Sequence, residues 1–305
     1  MQLTLCVKRD LHGCLFLNKF LPQLAGHEIS VLLSEKYRPD EGGIPALAEM
    51  AFLERSLPID SFFPLIDSAV AAGQKAGEWL TFSGLEKKYG FSLSTVTDRP
   101  QLAFALEKLR PELVISARFS LIFTPAMLEL VKHGIINIHP AALPSFAGLF
   151  GPMRTLAEGH DCFTCAVHLV DQGIDSGPLL HVATLPVMPG EGLLHQIANI
   201  YPLAIPYLLD AIDYLSRGKV LAQTPQDRAT ELKKQAQSSL NQKDYIKARY
   251  LFKKAYEAFA TRENYPQAIE CGVQANALYV RENFYKEGFE LCRDMDQLIW
   301  TGEQN

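Results

Sequence analysis

The run Gly134–Ile138 (G-I-I-N-I) constrains this chain most, because it reads as a short buried strand with a fixed end. Ile135, Ile136 and Ile138 surround Asn137, and His139-Pro140 stops the run, since proline has no N–H for a ladder. Side chains two apart on a strand share a face, so Asn137 and His139 point into one space at the strand's carboxyl end. In an open parallel sheet that end is where ligands bind. A second strand, Thr164–Val170, leads into a turn carrying Asp175, whose flanking Gly173 and Gly177 let the carboxylate approach other backbone closely. Amide, imidazole and carboxylate together can run an acyl transfer: the imidazole manages protons, the carboxylate orients it, and the amide donates to a developing oxyanion. Taken alone these residues leave a second reading open, a satisfied loop before proline and ordinary turn chemistry around Asp175. Arg154 and His168 border the motifs, and His168, continuing its strand's pattern, reads as a structural histidine.

The elements around this stretch alternate. Residues 2–7 and 27–33 read as strands with a helix over 14–24 between them, the start of a βαβ unit. After the polar loop Lys36–Gly43 comes helical periodicity through about Phe62–Tyr89, a strand near 91–96, a helix over 99–108 and a strand at 113–116. Beyond the Asn-x-His strand the pattern predicts a short helix over 151–158, strands at 163–170 and 179–185, one long amphipathic helix over Glu191–Leu215 and a final strand at 218–222. This is the pattern of an α/β domain over 1–222 with a mostly parallel sheet and flanking helices. Composition shifts at Gln223–Asp227, and 228–305 shows no strand signal, so it is expected to form a smaller all-α domain of four helices.

The chain resembles the folate-dependent formyltransferases, the superfamily that includes glycinamide ribonucleotide transformylase and methionyl-tRNA formyltransferase. N-I-H-P at 137–140 and D-S-G-P at 175–178 carry the likeness, with Asp175 36 positions after His139 as in the purine enzyme. Leu143-Pro144, Gly148-Leu149 and Val167-His168 fall where that family has the same pairs. Upstream, A-R-F-S-L-I-F-T-P at 117–125 looks like the loop that receives the pteridine. Downstream, I-Y-P-L at 200–203 and G-K-V at 218–220 look like the closing helix and last strand. The likeness is strong over about 110–222 and weak before it. It implies Asn137, His139 and Asp175 as catalytic residues, 10-formyltetrahydrofolate as the formyl donor, and Phe119, Leu121, Ile122, Phe123 and Gly173 at the folate; periodicity alone would leave those apolar residues in the core. One departure stands out. The loop K-R-D-L-H-G at 8–13 has a single glycine and nothing of the glycine-rich phosphate cradle with which the purine enzyme opens, so Arg9 and His12 read as a solvated loop. In the tail, Tyr245, Ala248, Phe252 and Ala255, echoed by Tyr285, Gly288 and Cys292, resemble tetratricopeptide positions at a longer period.

Bulk properties then exclude function classes. A formal net charge of −5 disfavours non-specific binding to nucleic acid or anionic membrane, and no apolar run reaches the roughly 20 residues of a membrane span. The first residues lack the order of a signal peptide and read as a mature first strand. Six scattered cysteines include Cys162-x-x-Cys165 without a second pair, so reduced thiols in a cytoplasmic protein are expected, with no metal site. The function so implied is transfer of the formyl group to a primary amine of a small molecule, an amino sugar or natural-product amine. Two alternatives stand beside it: hydrolysis of 10-formyltetrahydrofolate, and a non-catalytic folate-binding or ligand-binding module whose helices form an interaction surface. The tail is rich in aromatics (Phe252, Tyr256, Phe259, Tyr279, Phe284, Tyr285, Phe289, Trp300), so it is expected to dock, on the catalytic domain, a twin or another protein.

Overall fold

The computed structural model of the chain describes residues 1–36, 43–75, 77–218, 225–260, 265–281 and 284–302. Seven strands, β1 (Gln2–Lys8), β2 (Glu28–Ser34), β3 (Ser92–Val96), β4 (Leu113–Ala117), β5 (Ile135–His139), β6 (Cys162–Leu169) and β7 (Leu179–Pro186), form one sheet in the order β3-β2-β1-β4-β5-β6-β7. β1 pairs in parallel with both β2 and β4, β2 with β3, and β4 with β5, while β5 and β6 run antiparallel. Burial explains the composition of the central strands. Leu3 through Val7 are all buried, and so are all five residues of β4, as strands covered on both faces require.

Helices start where side chains can cap them. Asp10 caps α1 (Leu11–Phe20) by accepting from the Gly13 backbone N–H, and Asp98 caps α5 (Arg99–Leu109) through Gln101. Leu102 and Leu106 of α5 join Cys6, Leu32, Val114 and Ile135 in one core cluster, and the short helices α6 (Pro125–Glu129) and α7 (Gly151–Ala157) follow β4 and β5. Two expected helices are broken. The periodicity over 62–89 covers α3 (Phe63–Ala71) and α4 (Phe82–Tyr89), separated after Gly73, whose φ of +90° no ordinary helical residue adopts. Before α3, α2 (Pro45–Ala51) continues through π-helical turns at Phe52–Ser56 and Pro58–Phe62. The helix expected over 191–215 is α8 (Leu193–Ile200), a 3-10 turn at Tyr201–Ala204 and α9 (Ile205–Ser216). Pro202 and Pro206 cause the division, because each lacks the N–H that a helix interior needs and is accommodated only in a first turn. Of the last strand expected at 218–222, residues 219–222 lie outside the described residues, as do 37–42 of the polar loop; Pro225–Asp227, read as linker, begin a helix.

The chain divides into two compact units, 1–177 with 185–221, and 178–184 with 222–305. In the second, α10 (Pro225–Asn241), α11 (Tyr245–Ala260), α12 (Tyr265–Arg281) and α13 (Tyr285–Gly302) pack each on the next in sequence. Ala248, Leu251, Phe252 and Ala255 of α11 are fully buried. Close approach is built in at Gly272, where a Cβ would stand 2.4 Å from Met295 Sδ. The aromatics divide: Phe252, Tyr256, Phe259 and Tyr279 are core, whereas Tyr285 and Phe289 are 62% and 74% exposed, so half of the apparent aromatic surplus fills the unit's own interior. No helix among the described residues is long and apolar enough to cross a membrane.

Candidate active site

β4 and β5 end at a cavity of about 580 Å³ in the first unit. Asn137 and His139, two apart on β5, both line it, and Asp175 from the turn after β6 faces them there. Asp175 is the hub. Its Oδ2 accepts from the Gly148 N–H at 2.8 Å and lies 3.3 Å from His139 Nδ1; its Oδ1 accepts from Asn137 Nδ2 at 3.3 Å and lies 3.5 Å from His168 Nε2. Two backbone features put the carboxylate there. Asp175 adopts the left-handed region, φ 51°, which a short polar side chain tolerates better than most. Two residues on, a Cβ at Gly177 would fall 1.8 Å from the Leu169 carbonyl oxygen, so only glycine lets the turn fold back onto β6.

Hydrogen bonds fix the tautomers. His168, opposite Asn137 in the β5–β6 register, has Nδ1 2.9 Å from the Leu169 carbonyl, which can only accept; Nδ1 therefore carries the proton and Nε2 accepts from Asn137 Nδ2 at 3.1 Å. Both Nδ2 hydrogens of Asn137 are thus engaged, one by His168 and one by Asp175. His139 has Nε2 2.8 Å from the Phe146 carbonyl, so this nitrogen donates and Nδ1, beside Asp175, is the basic atom. The Phe146 carbonyl is held in turn by Arg154 Nη2 at 2.7 Å, which also donates to the Ala147 carbonyl. Burial pushes the His139 imidazole below its ordinary 6.5, with the Asp175 charge and the Phe146 bond opposing. For Asp175, burial works upward, but the neighbouring His168 and His139 rings and the Gly148 N–H outweigh it and hold the carboxyl below its ordinary range. The result is a carboxylate beside a buried, readily deprotonated imidazole.

The residues expected at a folate, Phe119, Leu121, Ile122, Phe123 and Gly173, all line the same cavity. Phe119 and Phe123 stack on each other with centroids 5.6 Å apart. Leu121 and Phe123 are at once wall and core, 5% and 7% exposed, while Ile122 is half exposed. At the start of the same loop lies a charged cluster. Arg118, which opens this loop, donates through Nε and Nη2 to Asp10 Oδ2 at 2.9 and 2.7 Å, and through Nη2 to Glu54 Oε2 at 2.8 Å. Behind Glu54 stands His12, with Nδ1 3.3 Å from Oε1 and Nε2 2.9 Å from the Leu194 carbonyl. The solvated loop expected at Arg9 and His12 is corrected at His12, which Asp10, by capping a helix, turns inward to 2% exposure; Arg9 keeps a partly exposed side chain, paired with Glu35. Burial works to raise the Glu54 carboxyl, yet the Arg118 charge, the His12 contact and Lys8 bring it down to about 2. Sequence reasoning missed Arg118 and Glu54. A glutamate in an amphipathic helix carries no signal of burial, and Arg118 was marked only by its place in the loop.

Residues 81–199 match the protein family described as formyl transferase. The methionyl-tRNA formyltransferase of Nitrosospira multiformis is 26% identical over 207 residues, 67% of this chain and 55% of that protein. The phosphoribosylglycinamide formyltransferase of Mycobacterium tuberculosis is 42% identical over 88 residues, 28% of this chain and 41% of that protein. The chain thus spans about half the length, or less, of these relatives. Among solved structures, the phosphoribosylglycinamide formyltransferase of Anaplasma phagocytophilum aligns with a TM-score of 0.46 and 18% identity, covering 69% of this chain and 88% of that one.

Proposed function

We propose that this chain moves the formyl group of 10-formyltetrahydrofolate to a primary amine of a small molecule. The observation that carries the reading is the convergence of Asn137, His139 and Asp175 on one cavity, with Asp175 touching both others. The cavity also offers a flat apolar wall, Phe119 to Phe123, suited to a pteridine. The amine nitrogen adds to the formyl carbon and the carbonyl π pair moves to oxygen. That oxyanion is met by Asn137 Nδ2, which exchanges its longer bond, to Asp175, for the substrate. The amine's proton passes to the Asp175 carboxylate and rests on His139 Nδ1, the ring's open nitrogen, giving an imidazolium stabilised by Asp175 and by the Phe146 carbonyl. Collapse breaks the bond from carbon to N10 of the folate, which takes the proton back.

For the acceptor, the end of β1 is informative. Where a phosphate cradle would stand, the chain places Asp10 and Glu54 around Arg118, two carboxylates for one guanidinium. This supports an acceptor that brings no phosphate to that end, an amino sugar or natural-product amine, with the Lys8 charge there already acting on Glu54 and Lys36 also on the wall for any anionic part. The helical second unit takes no part in the chemistry on this reading. The test incubates the protein with 10-formyltetrahydrofolate and a panel of amino-sugar nucleotides and polyamines, and analyses products. A formylated amine is expected; formate alone would establish the hydrolase, and neither product the binding module. A His139→Ala protein that formylated at the parent rate would remove the mechanism.

A further inference from the structure

We propose that Arg118 is a positioning residue, a mostly covered strut whose guanidinium holds the cavity-lining loop 119–123 in its binding shape. Three observations carry this. First, Arg118 has φ 57°, the left-handed region that a long side chain rarely adopts, so something other than local preference must hold the chain there. Second, what holds it is visible: its fork is anchored to Asp10, at the β1–α1 junction, and to Glu54, in the π-helical turn Phe52–Ser56, and it lies 6.0 Å from the centre of the Tyr201 ring. Four segments distant in sequence therefore meet at one cation. Third, the loop that begins here is the wall itself. Phe119 through Phe123 line the cavity in an unbroken run, and the Ser120 N–H is tied to Ser34 Oγ at 3.0 Å. With the backbone turned at Arg118 and its side chain fixed behind, the wall has little freedom to collapse into the cavity or swing away. The inference concerns the loop's shape; its effect on folate binding rests on the proposed function.

Lysine would keep the charge but lose the two-pronged geometry that fits two carboxylates at once. Arg118→Lys is therefore the first variant, and Glu54→Gln, which leaves the Asp10–Arg118 pair intact, the second. Amide exchange is measured on the full chain by mass spectrometry, and binding of 5-formyltetrahydrofolate by calorimetry. In Arg118→Lys the Ser120 amide and the 119–123 peptide should exchange at least tenfold faster, with β1 and β4 peptides within twofold of the parent and the folate Kd weakened about tenfold; Glu54→Gln should show the same pattern at smaller amplitude. Arg118→Lys with unchanged exchange over 119–123 overturns the proposal, as does exchange raised equally in β1 and β4, which would make Arg118 a general stabiliser. A parent protein that binds no folate, with the loop still loosened selectively in both variants, would sustain the strut and instead remove the formyl-donor reading.

Discussion

Asp175→Asn tests the centre of the proposed mechanism with little collateral change. Asparagine shares aspartate's tolerance for the left-handed region, so the turn at φ 51° survives the substitution. Its amide must still satisfy the Gly148 N–H, which turns the carbonyl oxygen toward Gly148 and His139 and the NH2 toward the Asn137 NH2, a donor facing a donor. One unmade bond in a mostly buried site costs about 1–3 kcal/mol of stability. The catalytic cost is larger. An imidazolium on His139 would have its charge 3.3 Å from a carboxylate, and unit charges at that separation interact by about 5 kcal/mol at an effective dielectric near 20. Only the part gained between ground and transition state affects the rate, so kcat/KM should fall by roughly 10²–10⁴, or about 3–5 kcal/mol. Formyl-amine production under pseudo-first-order conditions gives kcat/KM, and urea unfolding of the same preparation gives the stability term. A folded Asp175→Asn protein working within fivefold of the parent would refute the assignment of Asp175 as the counter-ion.

Other consequences follow from the same geometry. Because burial lowers the His139 pKa and the neutral ring is the base, the acid limb of the kcat/KM–pH profile should have its midpoint below 6.5 and move lower still in Asp175→Asn; a limb at or above 6.5 would count against His139 as the base. Glu54, lowered from 4.5 to about 2, is a depressed acid, so its contribution to stability is complete above pH 4.5 and is lost as the pH falls toward 2. A shift of that size corresponds to about 3 kcal/mol, and Glu54→Gln should flatten the urea-stability profile between pH 5 and 2, whereas a variant as acid-sensitive as the parent would mean the ion pair is not made. Gly177→Ala places a Cβ against the Leu169 carbonyl and should both destabilise by a few kcal/mol and displace Asp175; near-parental melting temperature and activity together would contradict that packing.

What the sequence disclosed and what it withheld follow from how far apart the partners lie. Asn137 and His139 were legible because their relation is local: a period of two on a strand ended by proline puts them on one face whatever the rest of the fold does. Asp175 is 38 positions from Asn137; residue chemistry alone left their meeting open beside a plain turn, and resemblance to a family decided between the two. The Arg118 cluster had neither aid. Its bonds reach 108 positions back to Asp10 and 64 back to Glu54, and they exist because the sheet order sets β1 beside β4, a neighbour relation that a lone sequence does not state. The broken helices were withheld for a different reason. Apolar spacing over 191–215 is continuous and alone suggests one helix, but Pro202 and Pro206 divide it, since a missing N–H and a ring clash cost about 3 kcal/mol in a helix interior. The segment still touches the site, because Tyr201, the residue that follows α8, lines the cavity beside Ile197 and lies against Arg118, a contact 83 positions apart in sequence that spacing within one helix does not state.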